Sequence, residues 1–393
     1  MSKKTQSKRI LVLSNQRVLR ETIAQALGKF GFHCHFCGNF DLVTQILQQH
    51  HCGSILHDWG GFDHKQSVAF QSKISKLEDF SRIPRLILVD EINTQIMSVA
   101  VDYGVRRIVT RQHVGSGLSG EVAMVLRAEA EVSELLAKVR QISQGINSRN
   151  FANSQQQIDK LVEDAFVTFP NDQLVRLEFA NLKLRQGDLA LARSLAEDLI
   201  SDSPGNVRAM NLLSKILLKE NKFEESSEVL ERANILSPYN VERLVMLGEI
   251  FFALDKPEKA LMYFNNALEM DPNSKEAKGG LGKAALTRED FEGAMHLFQD
   301  AFTESEIAGY FNNAAIIQVQ KGEFEKAIRL YHSASSALKS PKIRSIVYYN
   351  LGLAFKKKGD HQKALEAFDT SLKFDPTNEK SLLNRKSLSV KAS

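Results

Sequence analysis

The sequence is poor in cysteine, in long apolar runs and in excess charge, and each of these absences excludes a class of protein. Three cysteines in 393 residues cannot form the disulfide framework of a small secreted domain. The first apolar run, Ile10 to Leu13, is too short for a signal peptide or an anchor, and no run of about 18 apolar residues follows. We therefore expect a soluble, cytoplasmic protein that does not insert into a membrane.

The charge of the chain is almost balanced. The formal net charge is +4, and the basic runs Arg106–Arg107 and Lys356–Lys358 are short and far apart in the sequence. Proteins that bind nucleic acid usually present a continuous basic face, because the phosphate backbone dominates their affinity. We therefore expect no nucleic-acid partner.

Motifs of the common enzyme classes are also missing. The sequence contains no GxxxxGK phosphate loop, no HExxH zinc motif and no serine nucleophile elbow. The run Gly279–Gly282 has the composition of a phosphate loop, but it falls inside a helical repeat, where close packing explains glycine better. The sequence therefore predicts a protein that is not an enzyme and that needs no metal or cofactor.

The first 120 residues alternate short apolar strands with amphipathic helices. The predicted strands are Arg9–Ser14, His33–Cys37, Ser54–His57, Arg85–Val89 and Arg107–Thr110. The predicted helices between them are Val18–Phe30, Leu42–Leu47, Val68–Phe80 and Thr94–Tyr103. Strands that alternate with helices through short loops predict an α/β fold, with a five-stranded parallel sheet covered on both faces.

Sites in open parallel sheets form where loops leave the carboxyl ends of the strands. Those ends carry Ser14, Asn15, Asp58, Val89 and Arg111. With its order of elements and its length, residues 1–120 resemble the flavodoxin-like receiver domain of bacterial response regulators. Receivers accept a phosphoryl group on an aspartate at the end of the third strand, which Asp58 matches.

The strand ends depart from the receiver pattern at several positions. Receivers hold Mg²⁺ with acidic residues just after the first strand, where this sequence has Ser14 and Asn15. They carry Thr or Ser at the end of the fourth strand and Lys on the fifth, where this sequence has Val89 and Arg111. Mg²⁺ in phosphate sites usually needs one or two carboxylates besides the phosphate. We therefore favour a degenerate receiver in which Asp58 pairs with Arg111.

The alternative is a genuine two-component response regulator. In that case Asp58 is phosphorylated with Mg²⁺ in a phosphorelay, and the phosphoryl group controls partner binding by the rest of the chain. The two hypotheses differ in whether Asp58 accepts a phosphoryl group.

A connector is predicted over residues 121–150. Val125, Val132, Val139 and Ile146 recur every seven residues, and Ala128, Leu135 and Ile142 fill a second seam position. Such a heptad pattern is typical of a helix that packs against another helix. Two interpretations remain open: the 118–146 helix joins two copies of the chain as a homodimer, or its apolar stripe packs on its own domain.

Residues 151–393 repeat with a period near 34. Proline recurs at 170, 204, 238 and 272, and small residues recur at Ala192, Ser226, Ala260, Ala294, Ala327 and Ala364. This periodicity predicts stacked helical hairpins. With Leu247–Gly248, Leu281–Gly282 and Leu351–Gly352, and with aromatic residues such as Phe264 and Phe298, the pattern resembles tetratricopeptide repeats. We expect a superhelix of about six repeats that ends in a C-terminal capping helix.

The resemblance implies a concave groove that binds a protein or a peptide. The positions that it assigns to the groove are Asn181, Asn211, Lys215, Glu249, Phe252, Asn312, Asn313, Tyr349, Asn350 and Leu353. Asn313 and Asn350 match a position that this family often uses against a peptide backbone, because an amide both donates and accepts hydrogen bonds. The sequence therefore predicts a signalling adaptor with a repeat groove and a regulatory, receiver-like domain.

Overall fold

The structure is a computed structural model, and it describes residues 8–77, 80, 83–105, 107–114, 117–124, 151–299 and 301–392. The chain divides into two compact units, Met1–Arg243 and Leu244–Ser393. Residues 125–150, with most of the predicted connector helix and its dimer seam, lie outside the described residues.

Five parallel strands form the sheet at the start of the chain, as predicted. They are β1 (Arg9–Leu13), β2 (His33–Cys37), β3 (Ser54–Asp58), β4 (Arg85–Val89) and β5 (Arg107–Thr110). Their order in the sheet is β2-β1-β3-β4-β5, which is the flavodoxin-like order of doubly wound folds. Strands β3 and β4 are buried along their whole length, because helices cover both faces of the sheet.

Helices connect the strands, and a side chain fixes where one of them begins. The helices are α1 (Arg17–Gly28), α2 (Val43–His50), α3 (His64–Lys76), α4 (Thr94–Asp102) and α5, whose described part is 118–124. The prediction that α3 begins at Val68 is wrong. The Asp63 carboxylate accepts a hydrogen bond from the backbone N–H of Gln66, and this cap starts the helix at His64.

From residue 151 onward the described chain is helical, with fourteen helices. They are α6 (Phe151–Thr168), α7 (Gln173–Gln186), α8 (Leu189–Asp202), α9 (Val207–Lys219), α10 (Phe223–Leu236), α11 (Val241–Ala253), α12 (Pro257–Met270), α13 (Lys275–Thr287), α14 (Phe291–Gln299), α15 (Glu304–Gln320), α16 (Phe324–Ala337), α17 (Pro341–Lys358), α18 (His361–Phe374) and α19 (Glu379–Ala392). Helices α7 to α18 make six hairpins, and α19 follows them.

A contact between glycine and an aromatic ring recurs inside the hairpins of the second unit. An added Cβ at Gly248 would lie 2.5 Å from Phe264, one at Gly282 would lie 2.1 Å from Phe298, and one at Gly352 would lie 2.5 Å from Phe368. Each ring lies sixteen residues after its glycine and is buried. The missing side chain lets the second helix of each hairpin place its ring directly against the first helix, so the repeated Leu-Gly pair is a packing feature.

In the first unit, helix α4 of the sheet packs against the repeat helices α9 and α10. The hairpins α7–α8 and α9–α10 share one apolar core, in which Leu177, Leu199, Leu212 and Ile216 are buried. In the part of the chain that the structure describes, no helix combines the length and the apolarity needed to cross a membrane.

Candidate functional sites

The first candidate site lies at the carboxyl edge of the sheet. Ser14 follows β1, Asp58 ends β3, Val89 ends β4, and Arg111 follows β5, so the parallel strands bring these four positions to one edge. Ser14 and Asp58 are fully buried, and Val89 is almost fully buried. The fold therefore assembles the four positions that the sequence singled out.

Both oxygens of the Asp58 carboxylate are held by protein groups. Arg111 donates from Nη2 to Oδ1 at 2.6 Å, and the Ser14 hydroxyl donates to Oδ2 at 2.7 Å. The Asp58 side chain is 1% exposed and that of Arg111 is 23% exposed, while Arg111 Nη1 also lies 3.0 Å from Asp90. The ion pair between Asp58 and Arg111 that the sequence suggested is present, and it is buried at the aspartate end.

The loop after β3 closes over this carboxylate. An added Cβ at Gly61 would lie 2.4 Å from Asp58 Oδ2, and one at Gly60 would lie 2.8 Å from Arg111 Nη2. Asn15 donates from its amide to the Gly61 carbonyl and so fastens the loop to the end of β1. The two glycines therefore allow the backbone to cover the ion pair at a distance that no side chain would permit.

This donor set does not fit a magnesium ion. A magnesium site needs carboxylate oxygens that are free to bind, and both Asp58 oxygens already accept hydrogen bonds from Ser14 and Arg111. Asp90 is paired with the same arginine, and Val89 offers no oxygen from its side chain. Among the described residues, no group of three or more His, Cys, Asp or Glu side chains could hold a metal.

A buried polar network under the neighbouring strands escaped the sequence analysis. His57 is fully buried, and its ring nitrogens lie 3.0 Å from Gln71 Nε2 and 3.3 Å from Ser67 Oγ. Burial lowers the pKa of His57 to about 3, so the imidazole is neutral at physiological pH. Arg85 in β4 donates to Gln71 and to the Tyr103 carbonyl. An arginine inside an apolar strand was the one signal in the sequence that could have revealed this network.

In the first unit, the predicted groove residues make contacts inside the chain. Asn181 donates to the Leu177 carbonyl of its own helix at 3.0 Å, and Lys215 pairs with Glu242 at 2.8 Å. Asn211 accepts a hydrogen bond from Arg243 Nη1 at 3.2 Å. These side chains are therefore already oriented by the protein itself.

In the second unit, two asparagines and a tyrosine form one hydrogen-bonded group. Asn312 Oδ1 accepts from the Tyr331 hydroxyl at 3.0 Å and from Asn350 Nδ2 at 2.9 Å. The two asparagines are half-buried on the first helices α15 and α17, and Tyr331 is buried in α16, where burial raises the pKa of its hydroxyl to about 12. The tyrosine that holds Asn312 was not predicted, because it belongs to the second helix of the hairpin.

The other predicted groove residues of the second unit lie on the first helices α11, α15 and α17. Tyr349 and Leu353 are half-buried on α17, and Asn313 is exposed on α15. On α11, Phe252 is half-buried and Glu249 lies 3.8 Å from Lys283. Two isoleucines on the same first helices, Ile316 and Ile346, are 42% and 48% exposed. Apolar side chains thus flank the amide pair.

The second half of the chain matches known repeat sequences. Sequence models of the tetratricopeptide repeat match residues 183–238, 245–305 and 345–378. The BBSome complex member BBS4 of Bos taurus is 25% identical over 199 residues, which cover 50% of this chain and 38% of that protein. Tetratricopeptide repeat protein 6 of Homo sapiens is 28% identical over 150 residues, which cover 38% of this chain and 28% of that protein. The chain thus spans less than two fifths of either relative.

The chain is also similar to part of some solved structures. The crystal structure of a tetratricopeptide repeat protein from Parabacteroides merdae matches with a TM-score of 0.41 and 15% identity, and covers 65% of this chain and 98% of that chain. The three matching sequence models lie between residues 183 and 378, so they do not cover the parallel sheet. The segments 183–238, 245–305 and 345–378 are thus similar in sequence to tetratricopeptide repeats.

Proposed function

We propose that this chain is a non-enzymatic signalling adaptor that binds an extended segment of a partner protein along the first helices of its repeats. The observation that carries the proposal is the group formed by Asn312, Tyr331 and Asn350. These hydrogen bonds use the side-chain oxygen Oδ1 of Asn312 and the side-chain nitrogen Nδ2 of Asn350. Among the described residues, the Asn312 amide nitrogen and the Asn350 carbonyl oxygen have no partner in the protein.

The remaining donor and acceptor suit a peptide backbone. The backbone C=O of an extended chain can accept from the side-chain nitrogen of Asn312, while its backbone N–H donates to the side-chain oxygen of Asn350. Because Tyr331 holds Asn312 in place before a partner arrives, less side-chain entropy is lost on binding. The half-buried rings and aliphatic chains of Tyr349 and Leu353 favour a partner with an apolar side chain next to that backbone.

Affinity purification of the full-length chain from its native cell tests the groove. We expect the double variant Asn312→Ala with Asn350→Ala to lose the partner that the wild type retains. The matched control is Asn265→Ala, an exposed asparagine on the second helix α12, which should retain it. Equal recovery of every partner by all three proteins would refute the proposal.

We propose that the sheet domain is a degenerate receiver that regulates or supplements this binding. Its support is the position of Asp58 at the end of β3, together with the Arg111 and Ser14 contacts that occupy the carboxylate. We expect no stable phosphoryl adduct by intact mass after treatment with acetyl phosphate and Mg²⁺. An adduct that disappears in Asp58→Asn would instead support the genuine response regulator.

Two further parts of this proposal concern assembly and location. The homodimer through residues 118–146 stays a prediction, which light scattering of the full-length chain tests directly. Three free cysteines, two of them buried, suit a reducing compartment such as the cytoplasm. Burial raises the pKa of the Cys34 thiol to about 11, which keeps that thiol protonated.

A further inference from the structure

A single carboxylate oxygen at the end of helix α4 gathers three donors from a distant part of the chain. Asp102 Oδ2 accepts from Ser237 Oγ at 2.9 Å, from Asn240 Nδ2 at 3.0 Å and from Arg243 Nη2 at 2.8 Å. The Asp102 side chain is 2% exposed and that of Arg243 is 0% exposed. Arg243 also donates to the Ser237 carbonyl and to Asn211. The turn between α10 and α11 thus wraps one charged group of the sheet domain.

Neither charge is favourable for its own helix. Asp102 is the last residue of α4, where the helix dipole is negative, and Arg243 is the third residue of α11, where the dipole is positive. A buried charge without a partner is strongly destabilising. The two residues therefore contribute favourable energy only when they meet each other, which makes the pair specific to the docked arrangement.

An aromatic residue of the same turn enters the core of the sheet domain. Tyr239 packs against the buried cluster that contains Trp59, Val99 and Tyr103, and its ring lies 6.2 Å from the ring of His64. The backbone of Tyr239 has a φ of 72°, in the left-handed region that a tyrosine rarely adopts. The unusual backbone conformation of the turn thus occurs at Tyr239, the residue whose ring contacts the sheet domain.

The corresponding turns of other repeats lack this arrangement. Asn273 and Thr377 follow the prolines of their turns as Tyr239 follows Pro238, and neither has a positive φ. Those turns are closed by hydrogen bonds within the turn instead. The Asp271 carboxylate accepts from the backbone N–H of Asn273, and the Asp375 carboxylate accepts from the backbone N–H of Thr377. Ordinary repeat stacking therefore does not explain the conformation of the turn at 237–240.

A second turn of the repeats approaches the same helix. An added Cβ at Gly205, in the turn between α8 and α9, would lie 3.2 Å from the hydroxyl oxygen of Ser98 on α4. Ser98 is fully buried, and its hydroxyl has no hydrogen-bond partner among the described residues. Two successive repeat turns, at 203–206 and at 237–240, thus pack on one face of α4.

We propose that residues 237–243 form an intramolecular docking surface, whose partner is the C-terminal end of α4 and whose specificity lies in the pair Asp102 and Arg243. Docking fixes the sheet domain on the repeats of the first unit. In the docked arrangement Arg243 also donates to Asn211, a position that the repeat pattern assigns to the groove, so a partner that needs Asn211 competes with this arrangement of Arg243.

Hydrogen–deuterium exchange of the full-length chain, resolved by mass spectrometry, tests this proposal. In Asp102→Asn, we expect exchange in 94–102 and 237–243 to rise at least about tenfold, because a buried charge loses its partner. Exchange in strands β1 and β3 should stay as in the wild type. The control Glu242→Gln removes a neighbouring charge that pairs with Lys215 at the surface, and should change neither segment.

A reversed pair separates docking from a general loss of stability. The double variant Asp102→Arg with Arg243→Asp should protect 94–102 and 237–243 better than Arg243→Asp alone, because opposite charges again face each other. If both segments of Asp102→Asn exchange at the same rate as in the wild type, that result would overturn the proposal. So would exchange that rises equally in β1, β3 and the two segments, since that pattern reports global unfolding, and so would a reversed pair that is no better protected than Arg243→Asp.

Discussion

Gly282→Ala is predicted to destabilise the second unit by overpacking one hairpin. The added methyl group would lie 2.1 Å from Cε1 and 2.3 Å from Cζ of Phe298, whereas ordinary contacts begin near 3.4 Å. The ring must therefore move by more than 1 Å, and Phe298 is fully buried, so the surrounding core must move with it. Overpacking of this kind costs about 1–3 kcal/mol, and the better helix propensity of alanine returns up to about 1 kcal/mol.

Gly309→Ala is the matched control, with the opposite expected sign. Gly309 lies inside helix α15, and an added Cβ there meets nothing within 4 Å. The same substitution should therefore stabilise the helix by up to about 1 kcal/mol, since alanine is the better helix former. The two variants differ in packing alone, which removes propensity as an explanation for the loss at Gly282.

Hydrogen exchange of α13 and α14 measures the difference directly. Gly282→Ala should open these helices about tenfold more often than the wild type, because each 1.4 kcal/mol is a factor of ten. Gly282→Ala should cost less stability in a Phe298→Leu background than in the wild type, because the smaller side chain makes room for the methyl group. Equal protection in Gly282→Ala and Gly309→Ala would refute the glycine–aromatic packing.

Three other substitutions test separate parts of the molecule. Between pH 6.5 and pH 5.5, the unfolding free energy of the wild type should fall by about 1 kcal/mol more than that of His57→Gln. The reason is that His57 takes up a proton in the unfolded chain but not in the folded one, where its pKa is about 3. Parallel urea titrations at the two pH values check this, and equal losses would contradict it. Tyr331→Phe should weaken partner binding several-fold by releasing Asn312, at a stability cost of about 1 kcal/mol; titration calorimetry with the recovered partner measures both the affinity and its entropy, and unchanged affinity would contradict the role of this bond. Thr303→Ala removes the capping box of α15 and should cost about 1 kcal/mol, measured by hydrogen exchange at 304–310, with wild-type exchange as the contrary result.

Local periodic patterns carried most of the fold. Strands β1, β3 and β4 contain short apolar runs bounded by polar residues, and their positions follow from neighbours in the sequence alone. The repeats are visible because the same hairpin recurs with small residues such as Ala260 and rings such as Phe264 at fixed positions. Both residues are fully or almost fully buried, as the repeat pattern predicts.

Contacts between elements that are far apart in sequence were beyond such patterns. Asp102 and Arg243 are 141 residues apart, and each looks like an ordinary surface charge at the end of a helix. Charge type alone does not predict which pairs meet, because no periodic signal links them. The network of His57, Gln71 and Arg85 was missed for the same reason.

The strand-end site shows which part of a functional prediction sequence can support. The sequence placed Asp58 and Arg111 at the carboxyl ends of the third and fifth strands, and the fold brings them within 2.6 Å. It did not predict that Ser14 occupies the second carboxylate oxygen or that Gly60 and Gly61 cover the pair. Those details describe how the protein holds the Asp58 carboxylate, and they depend on loop conformations that are not periodic.

Photo-crosslinking in the native cell tests the central claim, which is that a partner lies along the first helices of the repeats. A photoreactive amino acid would replace Tyr349 on α17 in one protein and Met262, which is 46% exposed on the second helix α12, in another. We predict a discrete crosslinked partner from position 349 and none from position 262. A partner captured only from position 262, or equally from both positions, would contradict the proposed groove.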